Sequence, residues 1–175
     1  MRIAFYGGQT AGVITLLTLL ASKHDIRNVI YVDEGIKQIA NSFQLRTFPP
    51  SILDDPAFPK EIAANIDLFI CCHGRKILSR QFVETLPCIN LHPCLYRYKG
   101  VNPIKRLIAD GNPKASVASH WMVEKIDAGE ILFEEYKMIE NIEIKTEAEV
   151  YAQLYPLYTE VLVRTLKKIK YDRNH

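Results

Sequence analysis

In "CINLHPCLYRYKG" (residues 88–100), an asparagine and a histidine two positions apart, Asn90 and His92, interrupt a run otherwise filled with Ile and Leu. Side chains at i and i+2 of a strand leave the same face, so both can look into one cleft. A third polar candidate, Asp127, lies in "KIDAGE". Asn supplies a neutral amide donor, His titrates near neutrality, and Asp carries a charge able to keep an imidazole protonated. Such a trio suits a reaction that passes through an oxyanion. A structural reading is equally open from spacing alone: Asn90 caps the loop, His92 bonds a carbonyl and Asp127 makes a turn.

The elements that must carry these residues alternate. "RIAFYG", closed by two glycines, predicts a strand, and "TAGVITLLTLLAS" after it a helix. "RNVIYVDE" is the next strand and "EGIKQIANSFQ" a helix, a βαβ start to a mostly parallel sheet. The proline-rich "FPPSILDDPAFP" predicts a surface connection. "DLFICC" is a buried strand, "SRQFVETL" a helix capped by Ser79, and "CINLH" a fourth strand. In an open sheet of this kind ligands bind outside the carboxyl ends of the strands, which is where Asn90 and His92 are expected. "VNPIKRLIADG" predicts a helix from Pro103 to Gly111, followed by strands "ASVASHWMVE" and "EILFEEYKMI" joined through "KIDAGE". "KTEAEVYAQLYPLYTEVLVRTLKKIK" predicts a long amphipathic helix that Pro156 should kink or split.

With 175 residues, 48% of them hydrophobic and 24% charged, the chain suits one α/β domain over 1–175 with a single core. A formal charge of +2 announces no nucleic-acid surface. The N-terminus starts a strand without an apolar leader, no stretch reaches the length of a membrane span, and Cys71, Cys72, Cys88 and Cys94 match no zinc spacing, so a metal-free cytoplasmic protein is expected. Cys94, near His92, is a weak candidate for a nucleophile, because nothing around it lowers a thiol pKa. His73 ends a strand where it either lines the cleft or bonds its own loop. "GGQTAG" lacks the endings of a phosphate loop and reads as a tight turn. Trp121 and the tyrosines of "VYAQLYPLY" read as core or helix-packing groups, with an exposed stripe of Tyr151, Tyr155 and Tyr158 serving a homodimer as the alternative.

The segments "INLHPCLYRYKG", "IDAGEIL" and "GRKILS" together resemble the signature region of the folate-dependent formyltransferases: Asn, any residue, His-Pro, a loop to Gly, and later Asp-x-Gly. The resemblance implies a Rossmann-like formyltransferase fold, a mostly parallel twisted sheet with helices on both faces. It implies Asn90, His92 and Asp127 as catalytic residues, 10-formyltetrahydrofolate as formyl donor, and His120 in a supporting role. Arg75, Lys76, Ile77, Leu78, Val123, Glu124, Lys125 and Ile126 would bind the folate, and Gly8, Gln9, Thr10, Lys99 and Gly100 the acceptor. The chain departs from the family by having Cys94 where a Ser is usual and one residue fewer before Gly100.

"YGGQTAGVITLLTLL" and "YKGVNPIKRLI" are more similar to the methionyl-tRNA and amino-sugar branches than to the glycinamide ribonucleotide branch. The C-terminal β-barrel of the tRNA enzymes is not expected after residue 170. A small primary amine, with an amino-sugar nucleotide in the lead, is therefore the expected acceptor. Methionyl-tRNA, glycinamide ribonucleotide and a non-catalytic folate-binding module are the alternatives.

Overall fold

The structure, a computed structural model, describes residues 1–173. Five parallel strands come first: β1 (Arg2–Gly7), β2 (Asp25–Tyr31), β3 (Thr47–Phe48), β4 (Leu68–Cys72) and β5 (Cys88–Pro93). Two antiparallel strands, β6 (Lys114–Trp121) and β7 (Ile131–Met138), complete one sheet of order β3-β2-β1-β4-β5-β6-β7. Parallel strands covered on both faces read as continuous apolar runs, and every residue of β4 is buried.

One face is covered by α1 (Gln9–Ala21), α2 (Glu34–Ser42), α5 (Pro103–Ala109) and α6 (Glu147–Asp172), packed on Ile3, Phe5, Ile89 and Leu91. The other face carries α3 (Phe58–Ala63) and α4 (Arg80–Thr85), packed on Tyr6, Phe69 and Cys88. Helix starts are set by side chains. Asp33 accepts from Ile36 N–H, Ser79 from Phe82 N–H, and Thr146 and Glu149 form a reciprocal box at the start of α6.

Three expectations change. The proline-rich stretch is more than a connection: it holds a short 3-10 turn over Pro50–Asp54 and enters α3 at Phe58, whose ring is fully buried. A two-residue β3 precedes it, too short to leave a periodic signal. Helix α6 runs unbroken past Pro156. Pro156 and Ala152, whose carbonyl loses its partner, both lie on the exposed side, while Leu154, Tyr158, Val161 and Leu162 hold the helix to the core on either side of them. The tyrosines do not form an exposed stripe: Tyr158 is fully buried and Tyr151 and Tyr155 are half-buried.

Candidate active site

Strand register builds a polar row across the sheet. Cys71 of β4 pairs with Asn90 of β5, and Asn90 with His120 of β6, so three neighbouring side chains share one face. Two residues on, His92 pairs with Ala118, whose small side chain leaves room for the imidazole. Ile89 and Leu91 point to the opposite, apolar layer. Asn90 thus sits mid-strand rather than at the strand end.

His92 is 8% exposed and both its ring nitrogens face oxygen acceptors. Nδ1 donates to the Pro93 carbonyl at 2.8 Å. Nε2 lies 3.1 Å from the Gly100 carbonyl and 3.1 Å from Asp127 Oδ2. Only the doubly protonated ring can donate at both nitrogens. Asp127 Oδ2 also accepts from Gly100 N–H at 2.7 Å, so the Gly100 backbone bridges the two side chains. It does so at φ +80°, a conformation that glycine adopts without strain.

Burial opposes the charge on Asp127. His120, His92 and the Gly100 N–H outweigh it and hold the carboxyl well below the usual carboxylate range. His120 donates through Nδ1 to the Trp121 carbonyl at 2.9 Å. Its Nε2 approaches Asp127 Oδ1 only to 3.5 Å, an electrostatic contact without a formed hydrogen bond. Among the described residues it is the buried side-chain nitrogen that lacks a partner.

The Asp127 loop is fixed by a close approach. A Cβ on Gly129 would lie 1.8 Å from the Trp121 carbonyl oxygen, so the Asp-x-Gly spacing is a packing requirement. Asp127 itself has φ 52°, and Gln9, His73 and Asn102, which border the same cleft, also have positive φ. Left-handed backbone at non-glycine residues stores strain, and here it gathers around one cavity.

That cavity, about 550 Å³, runs from the connection between β6 and β7, along Asn90 and His92, to the carboxyl ends of β4 and β1 where α6 begins. Of the folate candidates, Arg75, Lys76, Ile77, Leu78, Val123, Glu124 and Ile126 line it and Lys125 does not. Of the acceptor candidates, Gln9 and Gly100 line it, whereas Gly8, Thr10 and Lys99 do not; the Lys99 carbonyl instead accepts from Arg106. The 75–78 segment hangs from Tyr6, whose buried hydroxyl accepts from Arg75 N–H at 2.9 Å and Lys76 N–H at 2.8 Å. Lys76 is paired with Asp54 outside the cleft. Ile77, Val123 and Ile126 are 74%, 46% and 52% exposed, an apolar rim without protein cover.

Cys94 is fully buried beside Ser116, does not border the cavity, and burial pushes its thiol up to about 11, which removes it as a nucleophile. The sequence reading missed Met122, Val83, Asn102, Glu147 and Tyr151, all of which border the cavity. Glu147 and Tyr151 sit one turn apart at the start of α6, and no local pattern marks a helix start as a cleft wall. Among the described residues no group of three His, Cys, Asp or Glu is placed to hold a metal, and no helix is long and apolar enough to cross a membrane.

The family model described as formyl transferase matches residues 6–166. A methionyl-tRNA formyltransferase of Moorella thermoacetica is 29% identical over 99% of this chain and 60% of its own length. One from Campylobacter lari is 32% identical over 73% of this chain and 42% of its own. The chain therefore spans about 60% or less of these curated relatives. Among solved structures, a phosphoribosylglycinamide formyltransferase from Bacillus halodurans superposes with a TM-score of 0.82 at 16% identity, covering 97% of this chain and 95% of that one. A sugar N-formyltransferase from a Shewanella species gives 0.73 at 21% identity, over 96% and 71%. These two establish the likeness of fold.

Proposed function

The chain belongs to the formyl transferase family, and from that premise we propose that it transfers a formyl group from 10-formyltetrahydrofolate to a primary amine, using Asn90, His92 and Asp127. The observation that carries this reading is the pairing of His92 with Asp127, 35 positions apart in sequence, at the wall of an open cleft that Asn90 also borders.

The donor's requirements fit what the cleft offers. The exposed Ile77, Val123 and Ile126 give a flat apolar ring system surfaces to lie between. The side-chain amide of Asn90 and the Nε2 of His120 have no hydrogen-bond partner among the described residues. When bound, the folate supplies a formyl carbon carried on its N10 nitrogen, outside the pterin ring.

Around that carbon the chain has two tasks. The Asn90 amide N–H donates to the formyl oxygen where negative charge develops. The incoming amine gives up one proton and the folate nitrogen takes one up, so the reaction balances with a single proton held in between. Asp127, held anionic by His92, orients a water that takes the proton from the amine and passes it to the folate nitrogen. The N–H groups of His92 are taken by Pro93, Gly100 and Asp127, so the contact to the oxyanion is left to Asn90 in this reading.

An amino sugar is the leading acceptor. Methionyl-tRNA is a second reading, favoured by the curated relatives, which carry that name at 29% and 32% identity. Mixing the protein with 10-formyltetrahydrofolate and a panel of amines, including an amino-sugar nucleotide, methionyl-tRNA and glycinamide ribonucleotide, tests the proposal. Formylated product that disappears in His92→Ala supports it. Folate binding without transfer to any amine, or transfer unchanged in His92→Ala, overturns it.

A further inference from the structure

Tyr158 of α6 is fully buried, and its hydroxyl has one hydrogen-bond partner among the described residues, Nε2 of His73 at 2.8 Å. A buried hydroxyl whose hydrogen points at nothing forfeits most of a hydrogen bond, so the O–H must donate and Nε2 must accept. The ring proton then sits on Nδ1. That nitrogen makes no hydrogen bond within the described residues and is not among the buried polar atoms without a partner, and His73 borders the cleft. Burial and the nearby charge of His92 lower His73 to about 4, so the ring is neutral at ordinary pH and the single-tautomer argument applies.

The surroundings of His73 differ from those of the folate candidates. Its ring lies 5.4 Å from that of Tyr151, and Gln9, Asn102 and Glu147 border the same cavity, in all three neutral polar side chains and a carboxylate. Arg75 and Lys76 border the same cavity two and three residues after His73, and Lys76 is already paired with Asp54.

We infer that His73 is an acceptor-binding residue whose Nδ1–H is fixed toward the cleft by Tyr158, and that this polar end takes an amine flanked by neutral oxygens, hydroxyl or carbonyl. The inference rests on the proposed formyl transfer for the word acceptor, but not for the tautomer. Hydroxyl or carbonyl oxygens accept from an N–H that needs no protonation step. His73 has φ 56°, which Asn tolerates better than other side chains, and an Asn amide nitrogen falls where Nδ1 stands.

Nitrogen-15 NMR of the histidine rings in the intact protein, with His73 assigned from the His73→Leu difference spectrum, reads the first half. The expected result is protonated Nδ1 and bare Nε2 from pH 6 to 8, with the two tautomers mixed in Tyr158→Phe. A protonated Nε2 in the wild type overturns the inference whether or not any amine is formylated. With the amine that the formylation assay identifies, KM for that amine should rise about three- to tenfold in His73→Leu and less in Tyr158→Phe, while kcat and the folate KM move little and His73→Asn recovers most of the loss. Unchanged amine KM in His73→Leu overturns the acceptor assignment. Absence of formylation in the wild type instead counts against the activity and leaves the tautomer result standing.

Discussion

At the amino ends of β1 and β4, Asp67 is saturated. Its carboxylate accepts from the Arg2 backbone N–H at 2.8 Å and the Arg2 guanidinium at 2.7 Å, its own N–H donates to the Arg2 carbonyl at 2.7 Å, and Arg173 reaches its carbonyl from beyond α6. On the cleft side of β5 the accounting stays open: the Asn90 amide has no partner, His120 Nε2 is buried without one, and four bordering residues hold left-handed backbone. Each unsatisfied buried polar group costs about 1–3 kcal/mol. A chain that completes every bond at one end and leaves them incomplete at the other is stabilised at the first and prepared for a ligand at the second.

The sharpest way to break this contrast is to remove an unpaired group. Asn90→Ala deletes no hydrogen bond made within the chain, so stability should change by less than about 1 kcal/mol while formyl transfer falls about a hundredfold. Parallel thermal melts and turnover assays check it; a large drop in Tm with activity retained would mean that Asn90 is structural. His92→Ala should lower turnover to a similar degree. Gly129→Ala sharpens the same contrast from the backbone. Its new Cβ would meet the Trp121 carbonyl, so the loop must shift, costing on the order of 2–3 kcal/mol and carrying Asp127 away from His92. Stability and activity should fall together, and a variant that loses neither would show that the 122–130 loop adapts freely.

Much of this was legible before any coordinates. The i, i+2 spacing of Asn90 and His92, set among Ile and Leu, requires a shared polar face wherever the strand is buried. Alternating runs gave the sheet, and Ser79 marked a helix start that its side chain does cap. What stayed hidden depends on contacts distant in sequence. Tyr158 reaches His73 across 85 positions, Gly129 matters because of Trp121, and Tyr151 becomes a cleft wall only when α6 brings it against His73. The cost of Pro156 was misjudged because it depends on which side of the helix faces water, and propensity does not carry that information.

Smaller effects separate the two ends further. Tyr6→Phe removes the shared acceptor of the Arg75 and Lys76 N–H groups without changing the packed ring, so the 75–78 segment should loosen. If the 75–78 segment binds the donor as proposed, KM for the folate rises about three- to tenfold with kcat nearly constant, because the lost bond lies away from the reacting carbon. A lower kcat at unchanged KM would place Tyr6 closer to the chemistry than its geometry allows.

At the opposite end, Asp67→Asn should lower Tm by only on the order of 2 °C at pH 7, since the pair is partly open to solvent, and leave turnover unchanged. Its pH dependence is more telling than its size. Hydrogen bonds from Arg2 lower the Asp67 carboxyl from 3.8 to about 2, so the native state binds this proton more weakly than the unfolded chain does. The stabilisation is complete above the unfolded value near 3.8 and is lost as pH falls through the folded value near 2. Wild-type Tm should therefore fall across that window more steeply than the Tm of Asp67→Asn. Asp127 is also depressed and adds a loss of the same sign that extends to still lower pH, so the two curves should approach one another without becoming flat. Parallel curves between pH 4 and 2 would mean that Arg2 and Asp67 pair no better in the folded protein than in the unfolded chain, and the contrast between a saturated end and an open end would lose its first half.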